Sequence, residues 1–360
     1  MTQQPMDIHK IISDSFDKAL RERGTANILI AGKTGVGKST LINAVFQKNM
    51  ATTGQGKPVT QCTRKITKEG VPVSIYDTKG LEVKDYQPIL TELINFIRIT
   101  NQVTDPQQHI HVAWLCIGEG TRRVEEAEVL LAKHLSEIMP VIIVITNSIS
   151  DNGFKAIVAE QFQFARNIVR VNSIKTILDG GTQIPQLGLK DLVELTMEVI
   201  PEGQKKAFAA AQKIELGHKV NQAHKIVAGA ASAAAAVGAI PIPFSDAFGI
   251  IPIQVGMLAG ISVAFGLDVS KAFLGSLCGS TFSAVAGSFG GRALVGALLK
   301  FFPGVGTGPG ALISATVAGA ITTTFGEAYI ATLYAMLKDS PEKQLSGADV
   351  ASAFKAKLQR

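Results

Sequence analysis

The hydrophobic pattern changes period several times along this 360-residue chain. Ile8, Ile11, Ile12, Phe16, Ala19 and Leu20 recur at helical spacing, which predicts an amphipathic helix over residues 6–22. From 25 to 200, short apolar runs alternate with longer amphipathic stretches. NILIAG (27–32), HIHVAWLCI (109–117) and VIIVIT (141–146) read as buried strands. KITKEG and VPVSIYD predict two strands around a turn, and IVRVN a further short one. Helices are expected over 38–48, 86–100, 122–139, 153–166 and 189–200. Strands alternating with helices in this way require a mostly parallel sheet with helices on both faces.

Pro201 closes that region. Residues 202–225 predict a basic, Ala-rich helix carrying Lys205, Lys206, Lys213, Lys219 and Lys225. Between Ile226 and Leu337 the formal charges fall to six, Asp246, Asp268, Lys271, Arg292, Lys300 and Glu327, while Gly and Ala become dense. The expected organisation is therefore an N-terminal helix (1–24), an α/β domain (25–200), a basic connector (201–225), an all-α, Ala/Gly-rich domain (226–337) and a polar tail (338–360).

Two readings of the apolar domain stay open. Ile226–Ser245 and Ala247–Leu267 approach the length of a membrane span, and Gly256-x-x-x-Gly260, Gly275-x-x-x-Gly279 and Gly287-x-x-x-Gly291 suit close helix contacts in lipid. Many of these positions are Ala, Gly, Ser or Thr, which insert weakly, and the prolines cut the run into short pieces. A compact helical bundle explains the same composition. Reversible contact with a membrane surface reconciles the two, and the basic helix before it suits anionic head groups.

Composition adds little else. Hydrophobic residues make up 46% and charged residues 18%, with a net charge of +6. Cys62, Cys116 and Cys278 match neither zinc spacing nor a disulfide framework, so a reducing cytoplasm is expected. The N-terminus lacks the basic start and apolar core of a signal peptide. The histidines show no ligand spacing with the cysteines. No basic surface interleaved with aromatics points to a nucleic-acid partner.

Chemistry concentrates between the first strand and the first helix of the α/β domain. Gly32-Lys33-Thr34-Gly35-Val36-Gly37-Lys38-Ser39, followed by Thr40, satisfies the phosphate-loop pattern in the right setting. Glycines let the backbone wrap so that successive N–H groups point at one phosphate cluster, and the helix adds its positive end. Lys38 reaches the β- and γ-phosphates, and the Ser39 hydroxyl is a ligand for Mg²⁺. Asp77-Thr78-Lys79-Gly80 follows at a strand end: Asp77 suits Mg²⁺, and the Gly80 amide suits the γ-phosphate. Between these motifs, ATTGQGKPVTQCTRKIT is polar and poorly periodic and reads as a mobile switch loop. Thr60 is the candidate to close over Mg²⁺ and the γ-phosphate, with Thr63 as the alternative. Lys38, Thr60 and Gly80 are thus the candidate catalytic residues, and Ser39, Thr60 and Asp77 the candidate metal ligands. Arg122 and Arg123 read as a solvated helix start or as an arginine finger reaching across a dimer.

Together these motifs give a Ras-like P-loop G domain that resembles the septin, Era and GIMAP branch of GTPases, GKTGVGKST above all. The stretch VGAIPIPFSDAFGIIPIQVGMLAGISVAFGLDVSK is similar to a YcjF-like domain, and the layout resembles that of immunity-related GTPases. The resemblance implies GTP and GDP as ligands, Mg²⁺ as cofactor and a homodimer through the nucleotide face. Three departures stand out. Leu81 holds the position after the Asp-x-x-Gly glycine where Ras-like enzymes place a water-orienting glutamine, which predicts slow intrinsic hydrolysis. Gly35 holds the place of the asparagine found in potassium-activated relatives. At the base, the family expects Asn/Thr-Lys-x-Asp, whereas this chain reads Thr146-Asn147-Ser148-Ile149-Ser150-Asp151. Asp151 serves if the loop is longer by two residues, and Asn147 contacts the base from the lysine position; otherwise base selectivity is weak and ATP remains open. Asn172-Ser173 match the remaining base-side loop.

Overall fold

The computed structural model describes residues 8–47, 49–53, 55–60, 63–78, 86–238, 246–267, 270, 272–278, 315–340 and 343–358. The chain divides into two compact units, Gly24–Glu215 and Met1–Arg23 together with Leu216–Arg360.

The first unit is built on a seven-stranded sheet. Its strands are β1 (Ala26–Gly32), β2 (Gln55–Pro58), β3 (Thr63–Thr67), β4 (Val73–Thr78), β5 (Val112–Gly118), β6 (Val141–Thr146) and β7 (Asn167–Arg170), in the order β2-β3-β4-β1-β5-β6-β7. β4, β1, β5, β6 and β7 are parallel, while β3 runs antiparallel to β4 and β2 antiparallel to β3. Every residue of β1, β5 and β6 is buried, as central parallel strands covered on both faces require. Period-2 alternation divides β1: Ile28 and Ile30 face one core, Leu29 and Ala31 the other.

Helices α2 (Lys38–Val45), α7 (Leu189–Val199) and α8 (Glu202–Ala211) cover the first core; α4 (Tyr86–Asn101), α5 (Glu126–Ser136) and α6 (Phe154–Gln161) cover the second. Trp114 is fully buried, stacked on Phe46 with ring centroids 5.9 Å apart, and its indole N–H donates to Thr196 Oγ1 at 3.1 Å. His111, at the start of the strand region, accepts from Asn27 N–H through Nδ1 and contacts Pro106 O through Nε2.

Three local features differ from the sequence pattern. The expected switch loop contains a short helix, α3 (Met50–Thr53), and strand β2, whose register pairs Gln55 with Thr67 and Pro58 with Arg64. An edge strand is held by backbone pairing and leaves little periodicity to read. A two-stranded hairpin, Thr176–Ile177 with Gln183–Ile184, follows β7. The expected helix 202–225 is two helices, because Gln212 turns extended and its buried amide holds the turn. Its Oε1 accepts from Ile214 N and Glu215 N, and its Nε2 donates to Glu215 O. Phe208 packs edge-on to Phe46, so α8 belongs to the first unit.

The second unit holds α1 (Ile8–Arg23), α9 (Leu216–Gly238), α10 (Asp246–Ala264), a helical segment over 272–278, and the helices Ala315–Leu337 and Gly347–Leu358. Ile12 of α1 is buried in its core, with Ile11, Phe16, Ala19 and Leu20 packed alongside. The amphipathic N-terminal helix is therefore part of this unit.

Small residues let its helices approach. A Cβ on Gly260 would meet Ile226 Cγ2 at 3.2 Å, and one on Gly256 would lie 3.8 Å from Ser15 Oγ. Gly319 faces Ala231 and Ala235 while Gly326 faces Val227, so the helix Ala315–Leu337 runs antiparallel to α9. Among the described residues no helix is long and apolar enough to cross a membrane. Of the remaining Gly-x-x-x-Gly positions, Gly279, Gly287 and Gly291 lie outside the described residues.

A Cβ at Gly326 would stand 2.5 Å from Val227 Cγ2 and 2.9 Å from Met257 Sδ. Gly326→Val should therefore destabilise this unit by about 1–3 kcal/mol through overpacking, measured by chemical denaturation. Stability equal to the wild type would mean that these helices separate at little cost.

Candidate nucleotide-binding site

The phosphate loop joins the end of β1 to the start of α2. Gly32 has φ +138°, and a Cβ there would collide with the carbonyl oxygen of Cys116 on β5, so only glycine fits. Gly35 and Gly37 are left-handed, with φ +79° and +97°, and Gly37 caps α2 immediately before Lys38. Val36 is buried and anchors the loop, while Thr34, Gly35, Ser39 and Thr40 are exposed. Lys38 Nζ donates to Gly32 O at 2.8 Å and Lys33 O at 2.9 Å, which folds the ammonium back over the loop. The Lys33 side chain forms an ion pair with Glu125.

The loop is braced from the neighbouring strand end. Thr146 Oγ1 donates to Val36 O at 2.5 Å and approaches Ile117 O at 3.2 Å. Asn147, with φ +52°, directs its amide toward the same loop: Nδ2 lies 3.5 Å from Val36 O, and a Cβ on Gly37 would meet Oδ1 at 3.3 Å. Thr146 and Asn147 thus support the phosphate loop in this structure.

Asp77 stands near the end of β4. Its Oδ2 lies 3.5 Å from Arg64 Nη2, and its buried Oδ1 has no hydrogen-bond partner. Burial pushes its carboxyl above the ordinary value, against the pull of Lys38 and Arg64. A buried, unpartnered carboxylate oxygen fits a hard divalent cation, and hydroxyls such as those of Ser39 and Thr60 are oxygen donors of the class Mg²⁺ takes. Thr60 follows β2, its N–H directed at Thr63 O at 3.2 Å. Thr63 is buried within β3. Gly80 and Leu81 lie outside the described residues.

The loop expected to face the base is held by contacts of its own. Asp151 Oδ1 accepts from Lys155 N at 2.9 Å, at the start of α6, and stands 3.6 Å from Arg170 Nε. That carboxylate is engaged in shaping its own loop. Ile149, at the position where the family carries its base-reading aspartate, is 54% exposed. Asn172 donates through Nδ2 to Pro185 O at 2.7 Å, and Ser173 O accepts from Gln186 Nε2 at 2.9 Å, so both brace the segment before α7. Arg122 donates to the carbonyls of Ser150 and Asp151 and lies over the Phe154 ring. Its guanidinium is committed within its own chain.

Sequence reasoning missed Glu119. It follows β5 directly, is 2% exposed, and binds the backbone of Ile149 and Ser150 as well as Arg170. A lone acid closing an apolar strand was the available signal.

Fold and site define a P-loop nucleotide-binding domain, and comparison with known proteins gives its class. Residues 27–148 match the family described as 50S ribosome-binding GTPase. Over these residues the chain is a P-loop nucleotide-binding domain similar to that GTPase family. The chain is 43% identical over 82 residues to the chloroplast translocase 108 of Physcomitrium patens, covering 19% of this chain and 8% of that protein. It is 30% identical over 98 residues to magnetosome membrane protein 22 of Magnetospirillum gryphiswaldense, covering 27% of this chain and 50% of that protein. The matches therefore span half or less of these relatives. Among solved structures, a probable GTP-binding protein engB aligns at 20% identity and a TM-score of 0.33, covering 49% of this chain and 98% of that one. A septin GTPase domain from Chlamydomonas reinhardtii aligns at 18% identity and a TM-score of 0.28, covering 38% and 59%.

Proposed function

We propose that this protein is a Mg²⁺-dependent switch that binds GTP, hydrolyses it slowly and couples the change to its helical unit. The observation that carries the reading is the glycine-shaped loop at 32–39, with Lys38 turned over it and Gly37 capping α2. Gly32–Thr40 cradle the phosphates through backbone N–H groups, and Lys38 neutralises charge that spreads onto the γ-phosphoryl group during transfer. Ser39, Thr60 and Asp77 are the residues that would hold Mg²⁺. The ion, when bound, supplies charge neutralisation between the β- and γ-phosphates. Gly80 is the second candidate for the γ-phosphate.

Slow turnover follows from Leu81, which cannot orient water. The resemblance to septins suggests that a second copy across the nucleotide face accelerates the reaction. Turnover per molecule should then rise with protein concentration, measured as phosphate release in the presence of Mg²⁺ and again with a chelator. A rate per molecule independent of concentration would remove the dimer from the account, and a rate unaffected by the chelator would remove Mg²⁺.

A second reading, relaxed base choice that admits ATP, is favoured by one observation. Asp151, the nearest carboxylate in the base-side loop sequence, accepts from Lys155 N–H. The helical unit carries the proposed membrane contact at the periphery, for which binding to anionic vesicles in the GTP- or GDP-loaded state is the test. No binding in either state would end that proposal.

A further inference from the structure

The stretch 149–151 is held by charges that the phosphate chemistry does not use. Glu119 Oε2 accepts from Ile149 N at 2.6 Å and Ser150 N at 2.9 Å. Its Oε1 accepts from Arg170 Nε at 2.8 Å and lies 2.7 Å from Arg170 Nη2. The same loop is gripped through its carbonyls by Arg122, at Ser150 and Asp151. A buried carboxylate is costly unless its lone pairs are satisfied, and here donors reach both oxygens. Burial alone would raise its pKa, but the hydrogen bonds from Ile149, Arg170 and Ser150 and the charge of Arg170 outweigh it and keep Glu119 ionised. The stretch also needs holding, because asparagines on either side of it, Asn147 and Asn152, sit at positive φ, +52° and +43°.

We infer that Glu119, locked by Arg170, is a positioning residue that sets the 149–151 stretch at the base end of the nucleotide, and through it the affinity and base preference of the site. This inference rests on the nucleotide-binding reading above. The phosphate loop is braced by Thr146, through Val36 O and Ile117 O, and by the Asn147 amide, both upstream of the 149–151 stretch that Glu119 and Arg122 hold. Disturbing Glu119 should therefore be felt at the base and not at the phosphates. Support of this kind, behind the residues that touch a ligand, decides how closely a site is held.

The test measures dissociation constants for GTP, ATP and inorganic tripolyphosphate on the full chain. Glu119→Gln keeps the shape but removes the charge that holds Arg170. It should weaken GTP about tenfold or more, change the GTP-to-ATP ratio, and leave tripolyphosphate unaltered. Arg170→Lys, which keeps its charge but loses the fork that grips Glu119, should act in the same direction and serves if the first variant does not fold. Parallel loss of GTP and tripolyphosphate, or no change in either, overturns the inference and leaves the nucleotide reading standing. Wild-type protein that binds none of the three overturns both.

Discussion

Lys38→Ala should weaken nucleotide binding about a hundredfold or more while leaving the fold intact. A lysine facing two phosphates makes charge-assisted hydrogen bonds worth about 1.5–3 kcal/mol each, and two of them account for a loss of that size. In the structure the ammonium rests on Gly32 O and Lys33 O, at 2.8 and 2.9 Å. Both acceptors belong to the loop it serves. The apolar anchors of that region, Leu41, Ile42 and Val45, are buried independently of the lysine. Calorimetric titration with a non-hydrolysable GTP analogue would give the affinity, and a melting curve the fold. A variant that melts like the wild type and binds the analogue equally well would mean that the glycine loop is not a phosphate site.

The second large effect lies in the helical unit. Lys219 on α9 is 1% exposed, donates to Phe265 O at 2.9 Å, and has its pKa lowered by burial to about 7. Unfolded lysine titrates at about 10.4. Between those values the unfolded chain binds more protons than the folded one, so stability rises with pH across that window. The penalty is fully present below about 7 and disappears above about 10. Lys219→Met keeps the volume and removes the charge. It should stabilise the unit by about 1–2 kcal/mol at neutral pH, after allowance for the hydrogen bonds the lysine gives up. Thermal melting followed by far-UV circular dichroism at pH 7 and 9.5 should show wild type and variant converging as the pH rises. A wild-type advantage at pH 7 would contradict a buried-charge penalty at this position.

Much of the first unit was legible because its signals are strong and local. Continuous apolar runs such as VIIVIT become fully buried parallel strands, and GKTGVGKS carries three glycines at positive φ, Gly32, Gly35 and Gly37. Strand β2 was not legible, because an edge strand in a polar segment is held by backbone pairing with β3. The break at Gln212 is hidden for a related reason: a side-chain amide folding onto its own backbone leaves no mark on hydrophobic period. On the base side the sequence offers Asp151 only if the loop is longer by two residues; its carboxylate accepts from Lys155 N–H, and the buried carboxylate behind the loop is Glu119. Long-range ion pairs such as Glu119 with Arg170 have no sequence period at all. The apolar composition of 226–337 allowed both a bilayer and a bundle. Packing of Gly260 on Ile226 and of Gly326 on Val227 shows that small residues there serve helix contacts within the unit.

Phosphate release from GTP by the wild-type protein, with Lys38→Ala alongside and ATP as the competing substrate, tests the central claim most directly. Slow release from GTP that Lys38→Ala abolishes is the result expected of a P-loop GTPase. Release that persists in the variant, or no release from GTP by the wild type under any condition, would contradict it.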